Sequence, residues 1–164
     1  MYRTHHCNQL RKSDIGQTVT LAGWVNTVRD QGGVIFLDLR DREGLTQVVF
    51  RTEENAEAAK LSHKLRDEDV IQVTGRVDGR LTGTENEKLA TGEIELVCTE
   101  FTILNKADVL PFQLDRELSN EDLRMKYRYL DLRRPRMNKN IRQRHKITAA
   151  ARNYLDGEGF IEVE

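Results

Sequence analysis

Residues 34–50 read VIFLDLRDREGLTQVVF, and this stretch predicts the fold of the first part of the chain. In residues 34–40 the apolar residues Ile35, Leu37 and Leu39 recur at every second position, as do Val48 and Phe50 in residues 45–50, which is the period of a half-buried strand. The four residues between them, Asp41 to Gly44, have the composition of a turn. We therefore predict two short strands joined by a tight connection.

The segments on either side extend these two strands into a larger sheet. Residues 18–29 are a predicted first strand, in which Gly23 marks an expected bend or bulge. Good helix formers with apolar residues near helical spacing predict a helix over residues 53–66. Two further strands are predicted over residues 70–77 and 93–104. Three strands, a helix and two strands are the order of the five-stranded oligonucleotide-binding (OB) barrel, although other small α+β folds share it.

The remainder of the chain is predicted to be helical, which gives a mainly β fold with a C-terminal helical segment. Ser119 followed by Asp122 resembles a capping box that opens a helix through residue 129. A longer helix is expected over residues 137–156, and residues 160–163, FIEV, are predicted to begin a strand. Because the sequence stops inside that strand, we expect a fragment of a longer protein.

Composition excludes several classes of protein. The 164 residues carry 26 Lys and Arg against 27 Asp and Glu, and the 38% of hydrophobic residues are enough for a core. Apolar runs stop far short of the roughly 20 residues of a membrane-spanning helix. The two cysteines, Cys7 and Cys98, have no metal-ligand spacing. We expect a cytoplasmic protein with reduced thiols, no metal site and no membrane partner.

The net charge of -1 hides segments of opposite sign. Residues 1–123 hold 15 basic and 22 acidic side chains, whereas residues 124–152 hold 11 basic side chains and one acid. This change near residue 120 predicts a domain boundary, and the polar stretch after Pro111 has the composition of a connecting segment. The basic stretch contacts a nucleic-acid backbone, or it forms a solvated helix face or ion pairs with further protein.

Strand parity sorts the side chains of the predicted barrel onto two faces. On the second strand Ile35 and Leu37 face the core, which leaves Phe36 on the outer face. Gln47 on the third strand and Glu95 on the fifth strand point outward by the same parity. An aromatic ring among polar side chains outside the core is therefore expected on one surface.

Such a surface suits single-stranded nucleic acid. An exposed ring such as that of Phe36 offers a stacking platform, and Gln47 and Glu95 can read base edges. Arg29, at the end of the first strand, can hold a phosphate or a guanine edge. The alternative is that Phe36 packs locally while Gln47 and Glu95 simply face solvent, and parity alone leaves both interpretations open.

Four stretches of the sequence form a recognisable set. They are GWV at 23–25, FLDLRDREG at 36–44, ATGEIE at 90–95 and KYRYLDLRRP at 126–135. Together with GFIEVE at 159–164, they resemble the bacterial-type aspartyl-tRNA synthetases, which are class II enzymes, over the whole chain.

The resemblance implies three parts. They are an OB-fold anticodon-binding domain over residues 1–110, a linker or hinge over residues 111–135, and the truncated start of a class II catalytic domain over residues 136–164. The ATP-binding and amino-acid-binding motifs of the class are absent from these residues, so we expect no catalytic residue, no cofactor and no activity in this chain alone. The whole enzyme would be a homodimer that attaches L-aspartate to tRNA-Asp with ATP and Mg ions, and this fragment would be a monomer.

The same resemblance implies roles for individual side chains. Phe36 would stack on an anticodon base, Gln47 and Glu95 would contribute to recognising the bases, and Arg29 would contact base or backbone. Arg80 lies in the predicted loop between the fourth and fifth strands, where the family places basic anticodon contacts. Whether tRNA-Asn is also a substrate stays open.

Two other interpretations of the sequence also stay open. The chain could be a stand-alone OB-fold module that binds single-stranded nucleic acid and carries its basic helical segment as an arm. Closer in kind are the asparaginyl and lysyl enzymes of the same subclass. The turn at residues 41–44, Gln47 and residues 127–135 favour the aspartyl enzymes.

Overall fold

A computed structural model of the chain describes residues 2–116 and 120–163. The chain divides into two compact units, Met1–Asp108 and Val109–Glu164. The first unit contains five strands and one α-helix. In chain order they are β1 (Thr18–Gln31), β2 (Val34–Arg40), β3 (Leu45–Phe50), α1 (Ala56–Ser62), β4 (Val70–Gly79) and β5 (Ile94–Asn105).

The five strands close into a barrel in the order β1-β2-β3-β5-β4, which confirms the predicted OB fold. The long strand β1 pairs with both β2 and β4, and β3 pairs with β5 in parallel, with Val48 opposite Leu96. Ile35, Leu37 and Leu39 are at most 1% exposed inside the barrel, which confirms the predicted core face of β2. Burying each such side chain contributes about 1.5–3 kcal/mol.

The bulge in β1 lies at Asn26 and not at Gly23, where the sequence predicts a bend or bulge. The pairing of β1 with β2 shifts register between Val25 and Thr27. The side chain of Arg40 contacts the bulge, because its Nη1 donates to Asn26 Oδ1 at 3.0 Å, and its Nη2 pairs with buried Glu68. Gly23 is needed for another reason, since a Cβ there would overlap the carbonyl oxygen of Arg40.

The turn between β1 and β2 positions the outer face of both strands. Gly32 and Gly33 have φ values of 64° and 90°, in the left-handed region that glycine tolerates and that tight hairpin turns require. The N–H of Gly33 donates to Asp30 Oδ1 at 3.1 Å. With this turn fixed, Arg29 lies directly opposite Phe36.

Helix α1 is shorter than the predicted helix over residues 53–66. Its N-cap is Asn55, whose side chain accepts a hydrogen bond from the N–H of Ala58 at 2.9 Å, so the residues before Asn55 form a turn instead. At the other end, the N–H groups of Lys64 and Leu65 bond to carbonyls three residues earlier. The chain therefore leaves the α-helix in a tighter turn before β4.

The second unit contains three helices in its described part. They are α2 (Glu121–Lys126), α3 (Arg128–Asp131) and α4 (Pro135–Gly157). Ser119, the predicted capping residue, lies outside the described residues, and Asn120 caps α2 by accepting from the N–H of Leu123. The strand predicted over residues 160–163 is wrong for this chain, because no described neighbour supplies the hydrogen bonds that a strand requires.

Two carboxylates of the first unit have lowered pKa values that predict acid sensitivity. Burial raises the pKa of Asp69, but hydrogen bonds from Lys106 and from the N–H groups of Ala107 and Arg66 outweigh burial and leave the pKa below the usual 3.8. The pKa of Asp41 is lowered similarly by backbone N–H groups and His6 acting against burial. Each therefore stabilises the fold fully above its usual pKa and loses that contribution as pH falls through its lower, folded value.

We expect the free energy of unfolding of the barrel to fall steeply once the pH drops below about 4. Denaturant titrations at a series of pH values measure this, with the fluorescence of Trp24 as the signal. The variant Asp69→Asn should flatten the acid limb, whereas Asp108→Asn, at an exposed residue, should leave it unchanged. An acid limb of equal slope in all three proteins would contradict the prediction.

Candidate nucleic-acid interface

The outer faces of the strands bring the predicted site residues of the barrel into two adjacent rows. One row runs from Arg29 on β1 through Phe36 on β2 to Val49 on β3. In the next row Asp38 on β2 lies opposite Gln47 on β3. Glu95 on β5 lies next to this row, because β5 pairs in parallel with β3. A polar surface with one aromatic ring therefore crosses four elements of the sheet.

Gln47 and Glu95 are buried, although both lie on the outer face. They are 7% and 5% exposed, so the interpretation that they simply face solvent is wrong. Gln47 Nε2 donates to Glu95 Oε2 at 3.0 Å. Polar side chains buried in this way require partners, because an unpaired buried polar group costs about 1–3 kcal/mol. The pair is thus held in one arrangement before any ligand binds.

Arg29 borders this pair from the first strand. Its Nη2 donates to Asp38 Oδ1 at 3.0 Å and to Gln47 Oε1 at 3.4 Å, while 43% of its side chain stays exposed. The two ends of the Gln47 amide are therefore both occupied, one by Arg29 and one by Glu95. A base that approaches this face meets a cation at the edge and an oriented amide and carboxylate behind it.

Arg80 lies just beyond β4 and supplies an unpaired donor. Its Nε donates to the carbonyl of Ile94 at 3.1 Å, but its buried Nη2 has no hydrogen-bond partner among the described residues. Burial lowers the pKa of Arg80, with a further lowering from Arg29, whereas Glu95 and Asp38 act in the opposite direction. The contact with Ile94 places Arg80 beside the residue that precedes Glu95, and its Nη2 is a buried donor that no described residue satisfies.

Phe36 is half-buried, between Arg29 and Val49 across the strands. Val49 is fully buried, so a small apolar side chain closes the row behind the ring. The ring itself keeps part of its surface exposed beside a cationic side chain. This arrangement can accept a stacked base, which is the chemistry predicted for Phe36.

Sequence reasoning missed one member of this surface, Arg51. Its Nη2 donates to Glu95 Oε1 at 3.0 Å, with 38% of the arginine side chain exposed. The signal was available, because Arg51 continues the alternation of Gln47 and Val49 by one step past the end of β3. The alternation alone could not show that Glu95, on another strand, is the partner of Arg51.

In the second unit three arginines surround one buried carboxylate. Asp131 is 0% exposed and accepts from Arg128 Nη1 at 2.7 Å and from Arg124 Nε and Arg134 Nη1 at 3.2 Å. Burial raises the pKa of Asp131, but the hydrogen bonds from Arg124 and Arg134 and the charges of Arg124 and Arg128 leave it lowered. Part of the basic stretch is therefore committed to ion pairs within this unit. Neither interpretation of the sequence predicted these pairs, since the ion pairs expected there were with further protein.

The described residues contain no group of three or more His, Cys, Asp or Glu that could hold a metal ion. Within the same residues no helix has the length and apolar character needed to cross a bilayer. Burial raises the pKa of the Cys98 thiol to about 12 and raises that of Cys7 as well, so both thiols are unreactive core residues.

Comparison with known proteins agrees with this geometry. Residues 19–104 match the family model described as OB-fold nucleic acid binding domain. Residues 120–164 match the family model described as tRNA synthetases class II (D, K and N). The two matches fall on the barrel and on the helical unit in turn.

Similar proteins cover the whole chain. An aspartate–tRNA(Asp/Asn) ligase of Magnetococcus marinus is 56% identical over 164 residues, and one of Opitutus terrae is 53% identical over 167. Our chain spans 27% and 28% of the length of these two relatives. The resemblance to aspartyl-tRNA synthetases predicted from the sequence is thereby confirmed.

A solved structure shares the fold at lower identity. The asparaginyl-tRNA synthetase from Pyrococcus horikoshii has a TM-score of 0.84 and 27% identity, covering 100% of this chain and 38% of that one. The barrel, its outer polar surface and the family match over residues 19–104 lead to the same assignment. This chain belongs to the family of OB-fold nucleic acid binding domains.

Proposed function

We propose that this chain recognises the anticodon of tRNA-Asp as part of an aspartyl-tRNA synthetase. The observation that carries the proposal is the buried pair of Gln47 and Glu95, held in one orientation next to the half-buried ring of Phe36. A stacked base beside Phe36 would present its edge to oriented hydrogen-bonding groups. The names of the relatives direct the proposal to tRNA rather than to single-stranded nucleic acid in general.

The surrounding arginines support the same proposal. Arg29 offers a partly exposed cation at the edge of the surface, where a phosphate or base would arrive. Arg80 offers a buried donor that lacks a partner in the described residues. Pairing that donor with an RNA acceptor would remove the cost of leaving it unsatisfied, so binding would improve a feature that is unfavourable in the free protein.

The proposal also assigns a role to each part of the chain. Residues 1–110 would read the anticodon, residues 111–135 would connect, and residues 136–164 would begin the catalytic domain. The whole protein would activate L-aspartate with ATP and Mg ions in the cytoplasm and would act as a homodimer, whereas this chain alone would be a monomer that supplies recognition without catalysis. Because the names of the relatives include both tRNAs, we extend the proposal to tRNA-Asn as a second substrate.

A panel of anticodon stem-loops tests this function. We expect the chain to bind a stem-loop with the anticodon GUC, and the tRNA-Asn anticodon GUU with comparable affinity. A change at the first or second anticodon base should weaken binding about tenfold, since a good base contact contributes about 1–3 kcal/mol of discrimination. Fluorescence anisotropy titrations at one fixed salt concentration measure these affinities.

An unrelated single strand of the same length is the control for generic binding. Equal affinity for every stem-loop and for this strand would favour the alternative, a stand-alone OB module without anticodon preference. Failure to bind any RNA would contradict both functions. Discrimination against GUU alone would remove tRNA-Asn from the proposal and leave tRNA-Asp in place.

A further inference from the structure

Arg51 joins the exposed edge of the polar surface to its buried centre. It follows directly after β3, and 38% of its side chain is exposed, whereas Glu95, which it contacts, is buried. The contact is an ion pair of 3.0 Å between Arg51 Nη2 and Glu95 Oε1. The other carboxylate oxygen, Oε2, accepts from Gln47 Nε2 at 3.0 Å. Both oxygens of Glu95 are thus held from different sides.

Glu95 is a buried carboxylate that lies opposite a second carboxylate. That second carboxylate is Asp78, its partner across the β4–β5 pairing. Like charges opposite one another in a sheet are destabilising, and a buried charge without a partner costs several kcal/mol. Asp78 is compensated by Arg76, whose Nε and Nη2 donate to its two oxygens at 2.9 and 3.0 Å. Arg51 supplies the corresponding compensation to Glu95.

We propose that Arg51 is a positioning residue that holds the Glu95 carboxylate in the orientation that reads an anticodon base, an inference that rests on the proposed function. With Arg51 on one oxygen and Gln47 on the other, the carboxylate cannot rotate toward solvent. Each oxygen still has a lone pair for a base donor, because a carboxylate offers about four acceptor sites. A fixed acceptor discriminates well, since a wrong base leaves a buried polar group unpaired.

The test compares three single variants and one double variant on a panel of stem-loops with single anticodon changes. Glu95→Gln identifies the anticodon position that depends on the carboxylate. We expect Arg51→Ala to lose about tenfold of the discrimination at that same position, and Arg51→Lys to recover part of it. The double variant, which combines Arg51→Ala with Glu95→Gln, should discriminate no worse than Glu95→Gln alone. Arg51 acts through Glu95, so the losses of discrimination from the two substitutions do not add.

Arg76→Ala is the matched control. Arg76 lies on β4, carries the same charge and has a similar exposed fraction of 47%, but it pairs with Asp78 and Glu54. Because Arg76 pairs with Asp78 rather than with Glu95, we expect Arg76→Ala to lower the discrimination much less than Arg51→Ala does. If Arg51→Ala weakens binding equally for every stem-loop, as loss of a phosphate contact would, the positioning role is overturned. A position-specific loss of the same size in Arg76→Ala would overturn it too.

A second measurement tests the positioning without RNA. The side-chain amide of Gln47 donates to Glu95, so its NMR signal should shift in Arg51→Ala, and in Arg51→Lys by a smaller amount. An unchanged Gln47 amide signal would overturn the inference. A wild-type chain without base preference would instead overturn the proposed function, and the Gln47 signal would then decide separately whether Arg51 holds Glu95. Should Arg51→Ala fail to fold, Arg51→Lys carries both measurements.

Discussion

Replacing Phe36 with alanine is expected to weaken binding of the GUC stem-loop about five- to 150-fold, which corresponds to about 1–3 kcal/mol. The ring is half-buried on the outer face between Arg29 and Val49, beside the Gln47 and Glu95 pair. A stacked base loses its platform when the ring is removed, while the barrel core on the opposite face of β2 keeps its contacts. Anisotropy titration measures the loss, and Trp24 fluorescence reports whether the barrel stays folded.

Two further variants separate stacking from local packing. Phe36→Leu keeps an apolar side chain of similar reach but removes the flat ring, so it should bind nearly as weakly as Phe36→Ala. Phe36→Trp keeps an aromatic face and should bind close to wild type. If leucine restores binding as well as tryptophan does, Phe36 is a packing residue, which is the alternative that strand parity left open.

Replacing Asp131 with alanine is expected to destabilise the second unit by about 3–5 kcal/mol. The carboxylate is fully buried and accepts hydrogen bonds from Arg124, Arg128 and Arg134. Without it three guanidinium groups repel one another, and two of them, 26% and 14% exposed, are poorly solvated. Asp131→Asn keeps the shape of the side chain but removes the charge, so it should also destabilise the unit, by a smaller amount.

Thermal unfolding followed by far-UV circular dichroism measures this loss, because α2, α3 and α4 contribute most of the helical signal. Asp156→Asn is the matched control, since Asp156 is an exposed acid within α4 and should change stability by less than about 0.5 kcal/mol. Equal melting curves for wild type and Asp131→Ala would show that the three ion pairs contribute no net stability.

Much of the barrel follows from local patterns. The alternation through β2 and β3 placed both strands at their observed bounds, and the same alternation placed Phe36 outside and Ile35 inside. These predictions succeed because side chains of a strand point to alternate faces whatever the strand pairs with. The ends of elements were harder to predict. The predicted β1 ends too early and the predicted α1 is too long, because caps and turns determine where an element ends.

The second unit shows where local patterns are insufficient. The sequence pattern of residues 160–163 resembles a strand, yet the described residues form none there, because a strand exists only beside a partner. The eleven basic residues of residues 124–152 appeared as one charged stretch. Their division into arginines committed to Asp131 and others depends on how α2, α3 and the start of α4 pack, which charge counting does not report.

The local sequence accounts for the order of strands along the chain, the face of the side chains on β2 and β3 and the resemblance to a nucleic-acid-binding family. Three features depended on the closed barrel instead: the bulge at Asn26, the burial of Gln47 and Glu95, and the pairing of Arg51 with Glu95. Each of these features depends on residues that are far apart in the chain. Gln47 and Glu95, for example, come into contact because β3 and β5 pair in parallel. Local alternation specifies which way a side chain points, and closure of the barrel specifies which partner it meets there.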